Sequence, residues 1–208
     1  MGKEKYSSNG ESVQRVEKLS DLLPALQSGA QVAAKEGLRL SQDSKVLAQH
    51  YGGPIVWDFF GIKLIMTNDT EALKTCLRAR RSRQIPGTVP SALWNELSNE
   101  ILTVLKQFPN YVVESEYLGI NAGVDQSIRI WHRDGAASSP IDFSNRLRIV
   151  RTLHGPSTEY SESERGPIVK FKKNSLCVHT CGPKGALHRS PRNGTNARIS
   201  YAIMLRPV

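Results

Sequence analysis

From Pro109 to the C-terminus the chain is a succession of short apolar runs, each about one strand long. "YVVESEYLGI", "QSIRIWH", "RLRIVRTL", "PIVKFK", "SLCVHT", "GALHRS" and "ARISYAIML" follow one another, divided by clusters of Gly, Pro, Asn and Ser. β-Branched and aromatic residues suit a pleated surface, and the small polar residues between them suit tight turns. Seven or eight such strands with no helix between them predict a β-sandwich, a jelly roll or a small barrel. Such a core gathers side chains that lie far apart along the chain.

The half before Pro109 has a different character. Residues 1–12 are polar and predict a disordered tail. Val13, Val16, Leu19, Leu23 and Leu26 recur at helical spacing, which predicts two short helices over 13–35. Ser20-Asp21 reads as an N-cap, and Pro24 fits only near a helix start. "PIVWDFFGIKLIMTN", 54–68, suggests strands, and Asn68-Asp69 opens a helix running to about Arg83. An amphipathic helix is predicted over 90–108, with Leu93, Leu97, Ile101 and Leu105 on one face. The expected organisation is a single domain over 13–208, in which a helical and strand region, 13–108, supports a jelly-roll catalytic core, 109–208. The fold class is thus mainly β with N-terminal helices.

No apolar run approaches the roughly 20 residues that span a bilayer, and the N-terminus lacks the apolar stretch of a signal peptide. A cytoplasmic protein is expected. Cys76, Cys177 and Cys181 are too few and too scattered for a disulfide framework. The formal net charge of +9 admits a polyanionic partner or an anionic small substrate. The densest basic run, "RARRSR" at 78–83, has no interleaved aromatics for base stacking and reads as a solvated helix end.

Within the β half, "WHRDGAASS" sets His132 and Asp134 one residue apart. If the strand runs to Asp134, the two side chains project to the same side, together with Ile130. An imidazole and a carboxylate side by side are two thirds of a facial triad for Fe(II). The third ligand must be a histidine from another strand: His154, His179 or His188. His188 is favoured by the segment that it opens, "HRSPRNGTNARIS". Asn193-Gly194 is a tight-turn signal, and a hairpin there sets His188 opposite Arg198, with Ser200 on the same face. Arginine offers a two-pronged donor to a carboxylate and serine adds a hydroxyl. The expectation is a metal site with an anion clamp beside it.

His-x-Asp, a distal His and then Arg-x-Ser, in this order and in an all-β setting, resemble the 2-oxoglutarate- and Fe(II)-dependent oxygenase superfamily. The resemblance covers roughly residues 111–206 and not the N-terminal half. It implies a double-stranded β-helix with His132, Asp134 and His188 as the catalytic metal ligands. It implies Arg198 and Ser200 on the far carboxylate of 2-oxoglutarate, with Tyr117 of "EYLGI" helping to hold that cosubstrate. The implied activity uses O2 to oxidise a C–H bond by hydroxylation, desaturation or oxidative cyclisation, releasing succinate and carbon dioxide. The Asp134 carboxylate argues against a halogenase, which would carry a small residue there. Repair enzymes of the superfamily that act on nucleic acid typically carry a second arginine six residues after the first, and here that position is Met204. A small-molecule substrate, amino-acid-like or otherwise anionic, is therefore preferred over nucleic acid or a protein side chain. Two other classes stand beside this reading: a cupin-like metalloenzyme that needs no 2-oxoglutarate, and a binding protein on a degenerate scaffold.

Further polar residues in the β half carry weaker signals. Cys177-x-His179-x-Cys181 alternates on one strand, but zinc sites space their ligands differently and need a fourth, so it reads as a semi-buried strand. "RLRIVRTL" sends Arg146, Arg148, Val150 and Thr152 to one side, and Leu147, Ile149, Arg151 and Leu153 to the other. Arg148, Arg151 and the turn histidine His154 are the candidate substrate contacts.

Overall fold

The computed structural model describes residues 12–41, 91–121, 130–135, 142–191 and 198–208. Strand β1 (Val13–Val16) leads through a 3-10 turn (Leu19–Asp21) into helix α1 (Leu22–Gln27) and strand β2 (Val32–Lys35). Helix α2 (Ser91–Leu105) precedes β3 (Tyr111–Asn121), β4 (Leu147–His154), β5 (Glu159–Ser161), β6 (Val169–Lys170), β7 (Leu176–Thr180), β8 (Leu187–Arg189) and β9 (Arg198–Pro207). Six strands form one sheet in the order β1-β2-β7-β4-β9-β3, and three form a second in the order β6-β5-β8. Neighbours are antiparallel except β1 and β2. This is the double-stranded β-helix, or jelly roll, with helices on the N-terminal side of the chain.

Strand alternation divides the apolar residues of the larger sheet between two layers. Ala33, Ile149, Leu176, Val178, Tyr201, Ile203 and Leu205 pack with Leu22 and Ala25 of α1 and with Leu97, Ile101 and Val104 of α2. Their neighbours Val32, Ala34 and Cys177 face the other way and pack with Tyr160 of the smaller sheet and with Phe171 and Ala186, which flank its strands. One face is therefore sealed by helices, while the other looks across a narrow gap lined partly by polar groups. Among these are His179, His188 and Ser200, all buried.

The expected pair of helices over 13–35 is corrected. Only Leu22–Gln27 is α-helical, and both ends of the segment are strands. Val13 and Val16 fit a helical spacing, but Val13–Val16 instead completes the sheet edge by pairing with Val32–Lys35. Tertiary pairing overrides so short a periodic signal. Asp21 does occupy the N-cap of α1. Pro24 is then the third helical residue, where its missing N–H leaves no helical bond unmade. Leu97 and Ile101 of the expected α2 face are buried in the core. The sequence expectations for 1–11, for 54–83 including Cys76 and "RARRSR", and for residues 126–129 of "QSIRIWH" lie outside the described residues. No helix among the described residues is long and apolar enough to cross a membrane.

Candidate metal centre

His132 and His188 meet as a single antiparallel bridge. Each backbone N–H donates to the other's carbonyl at 3.0 Å. Directly opposed residues project to one side, and the two imidazoles lie with ring centroids 4.3 Å apart. His132 Nδ1 is 3.0 Å from the Ile130 carbonyl oxygen, and His188 Nδ1 is 3.1 Å from that of Ala186. A carbonyl only accepts, so each Nδ1 carries a proton, and in the neutral ring Nε2 is then the nitrogen that offers a lone pair.

Asp134 completes the group by a different route from the one expected. The strand does not continue to it: after the bridge at His132 the chain enters a turn at Asp134-Gly135. Gly135 has φ of +70°, and a Cβ there would collide with the Phe143 ring. The Asp134 carbonyl accepts from Gly182 N–H at 2.7 Å, tying this turn to the β7–β8 connection. Ile130 does not join the two ligand candidates; it is 74% exposed. Even so, ligand atoms of His132, Asp134 and His188 all lie within 4.8 Å of one another.

Both oxygens of the Asp134 carboxylate are held. Arg148 Nη1 donates to Oδ1 at 2.7 Å and His179 Nε2 donates to Oδ2 at 3.1 Å. Tyr160 O–H donates in turn to His179 Nδ1 at 3.1 Å. Burial raises the Asp134 carboxyl, but the His179 hydrogen bond and the Arg148 charge outweigh it and hold the group well below the usual carboxylate range. Burial lowers His179 and, more strongly, His188, whose fall is reinforced by the neighbouring His179. The centre thus sets an ionised carboxylate beside two imidazoles, His179 and His188, that burial disfavours in the charged form.

His179 and Arg148 are opposite one another on β7 and β4, which explains why both reach Asp134. His179 is one of the three candidate third ligands of the sequence, in a segment that reads as a semi-buried strand. The alternating "CVHTC" was the signal, since Cys177, His179 and Cys181 share one parity. Cys181 joins a second group: ligand atoms of Asp134, His179 and Cys181 also lie within 4.8 Å of one another. Its Sγ is 3.7 Å from Met204 Sδ, and burial pushes the thiol up to about 12.

The expected hairpin between His188 and Arg198 is corrected. β8 pairs with β5 in the smaller sheet, while β9 lies between β4 and β3 in the larger one. His188 and Ser200 therefore belong to different sheets. Ser200 is buried, opposite Thr152 on one side and Gly119 on the other. Arg198 stands opposite Asn121, and Tyr117 stands opposite Ala202; their side chains lie outside the described residues.

Of the candidate substrate contacts, Arg148 is at the centre. Arg151 is not, and this expectation is corrected: it points to the helical side, fully buried, where its Nε and Nη2 donate to Glu100 of α2 at 3.0 and 3.2 Å. Tyr201 O–H donates to the same Glu100 at 2.9 Å. An odd position on β4 belongs to the helix-facing layer, and a buried guanidinium there demands a carboxylate partner. His154 ends β4, half-buried, opposite Ile199. At the rim beside His132, Arg189 lies over the Trp131 ring at 4.3 Å and pairs with Glu159 at 2.8 Å. A separate open cleft of about 670 Å³ between α1 and the β7–β8 connection reaches Cys181 but none of His132, Asp134 and His188.

No family model matches the chain, and no curated protein matches it. Among solved structures it is similar to a Pseudomonas putida prolyl-4-hydroxylase at 15% identity and TM-score 0.44, over 92% of this chain and 93% of that one. It is similar to a Trichoplax adhaerens prolyl hydroxylase, solved with a peptide fragment of the hypoxia inducible factor oxygen degradation domain, at 10% identity and TM-score 0.43, over 90% and 87%. The truncated viral collagen prolyl hydroxylase of Paramecium Bursaria Chlorella virus-1 aligns at 14% identity and TM-score 0.42, over 83% and 99%. These likenesses are remote, and it is the geometry around Asp134 that bears on chemistry.

Proposed function

We propose that this chain is a non-heme Fe(II)- and 2-oxoglutarate-dependent oxygenase that oxidises a C–H bond of a small substrate. His132, Asp134 and His188 would hold the iron. The observation that carries this reading is the state of the two histidines: each commits Nδ1 to a backbone carbonyl, leaving two Nε2 lone pairs near one ionised carboxylate. Two imidazoles and a carboxylate suit Fe(II), and three protein ligands leave positions open for cosubstrate and dioxygen. Bound iron and 2-oxoglutarate would supply the activation of O2, with succinate and carbon dioxide as coproducts.

The chain's own part is orientation and shelter. The bridge between His132 and His188 fixes both rings. Arg148 and His179 fix the carboxylate and keep it ionised, and the Tyr160 hydroxyl fixes the tautomer of His179. The apolar layer of Val32, Ala34, Tyr160, Phe171, Cys177 and Ala186 supports exclusion of water from the gap. Ser200, buried on the facing layer, fits a donor to the far carboxylate of 2-oxoglutarate, with Arg198 two residues before it and Tyr117 on the adjacent strand as partners. Arg148, whose side chain is partly exposed, and His154 are the proposed neighbours of an anionic substrate. Residues 13–208 would act as one domain. Cys181, a free and buried thiol, fits a reducing compartment and supports a cytoplasmic setting.

Anaerobic titration with Fe(II) and 2-oxoglutarate tests the reading. A metal-to-ligand charge-transfer band that needs both components is expected, together with succinate release under O2. A folded chain that binds iron but develops no such band would overturn the 2-oxoglutarate part. A cupin-like enzyme would instead turn over with iron alone.

A further inference from the structure

Asp134 belongs to two donor groups at once, and the second contains a thiol. We infer that Asp134, His179 and Cys181 form a distinct cation site that takes a thiophilic ion of the Zn(II) or Cd(II) class, and that through Asp134 this site competes with the one bounded by His132 and His188.

The donors decide the kind of ion. The first group offers two nitrogens and an oxygen. The second offers one nitrogen, one oxygen and a sulfur, with the Met204 thioether 3.7 Å from that sulfur. Thiolate and thioether donors favour soft or borderline ions over Fe(II). Metal–ligand lengths of about 2.0–2.3 Å place donors roughly 3.5 Å apart in a tetrahedral zinc site. His179 Nε2 and Asp134 Oδ2 are already 3.1 Å apart, and all three ligand atoms lie within 4.8 Å. His179 and Cys181 are buried, so the site is walled by protein rather than assembled on a surface.

The proton balance closes with groups present. His179 now gives its Nε2 proton to Asp134 and accepts at Nδ1 from Tyr160. Metal at Nε2 requires the other tautomer, with Nδ1–H donating to the Tyr160 oxygen, and a phenol accepts as well as donates. The Cys181 thiol proton is released to solvent as the thiolate forms. The Arg148 charge beside Asp134 opposes a cation in either group, and it also acts on His179 and Cys181, where it favours the thiolate over the thiol.

Binding at the thiol-containing group stands on these donors alone; only the competition rests on the proposed iron site. Co(II) serves as the probe, because a thiolate ligand gives it a near-ultraviolet sulfur-to-metal charge-transfer band. The wild-type chain and His132→Ala are expected to show this band. Cys181→Ser is expected to lose it and to bind Zn(II) at least about tenfold more weakly, since losing even an outer-shell partner costs that much. Zn(II) is expected to suppress the Fe(II)–2-oxoglutarate band in the wild type and to do so less in Cys181→Ser. A wild-type chain saturated with Co(II) that shows no thiolate band, or a band that survives in Cys181→Ser, overturns the site. Should that variant not fold, zinc-edge X-ray absorption of the wild-type chain decides: a sulfur neighbour supports the site, and only nitrogen and oxygen neighbours overturn it. Loss of the Fe(II)–2-oxoglutarate band with the thiolate band retained would sink the iron reading and leave this one standing.

Discussion

Arg148 Nη1 lies 2.7 Å from Asp134 Oδ1 and joins strand β4 to the turn after His132. The pair neutralises a carboxylate that is nearly buried. Arg148→Met should leave that carboxylate with His179 as its remaining partner. A fully buried broken pair costs about 3–5 kcal/mol. Here the guanidinium is partly exposed and one hydrogen bond survives, so a loss of about 1–3 kcal/mol is expected. Urea unfolding of the metal-free protein measures it; an unchanged midpoint would mean that the pair contributes nothing to folding.

His132→Ala removes a proposed Fe(II) ligand, whereas His179→Gln removes a group that, toward Fe(II), orients the Asp134 ligand. The first should abolish measurable Fe(II) binding. The second should weaken it by about 10–100-fold, the usual effect of losing an outer-shell partner. Equilibrium titration of both variants distinguishes the roles, and equal losses would contradict the assignment of His179 to the outer shell.

Arg198→Ala should weaken 2-oxoglutarate binding by about 2–5 kcal/mol, the cost of truncating a charge-assisted contact to a desolvated partner, while leaving iron binding nearly unchanged. Calorimetry with the two ligands added separately gives both numbers. A parallel loss of iron affinity would place Arg198 in the scaffold rather than at the cosubstrate.

Glu100 and Arg151 are paired on the far side of the sheet from the metal-capable groups. Glu100→Ala leaves a fully buried guanidinium without its carboxylate and strips the Tyr201 hydroxyl of its acceptor. A destabilisation of about 3–5 kcal/mol is expected, with the folded fraction retaining its Fe(II) affinity. Thermal melts alongside metal titration check the two halves of this expectation.

His179 and His188 are held below their ordinary value of 6.5 by burial. The unfolded chain therefore binds more protons than the folded one as pH falls through 6.5, so metal-free stability must fall with it. Each group contributes a slope of up to about 1.4 kcal/mol per pH unit below its unfolded value. Asp134 acts with the same sign at lower pH: its depressed carboxyl stabilises above the ordinary carboxylate range and loses that contribution in acid. Melting temperature measured from neutral pH down to about pH 5 should drop steeply in the wild type and less in His188→Asn.

His132, Asp134 and His188 were legible as a group because His-x-Asp and a distal histidine are chemically unusual in a β half otherwise built of apolar strands. The route by which they meet was not. Sequence alternation extends a strand to Asp134, but the chain turns there because Gly135 can take a positive φ under the Phe143 ring. The tight-turn signal at Asn193-Gly194 suggested a hairpin, yet β8 and β9 enter different sheets. Local turn chemistry does not say which neighbour a strand will choose.

Periodicity and side-chain chemistry are properties of short stretches, and they were enough to set the β architecture, the helical face of Leu97 and Ile101, and the identity of two imidazoles and one carboxylate. Long-range packing alone settled that Arg148 serves Asp134 while Arg151 serves Glu100, and that His179 and Cys181 stand beside the same carboxylate. Those assignments depend on which layer each strand face is packed against, and that is set by pairing between segments far apart in the chain.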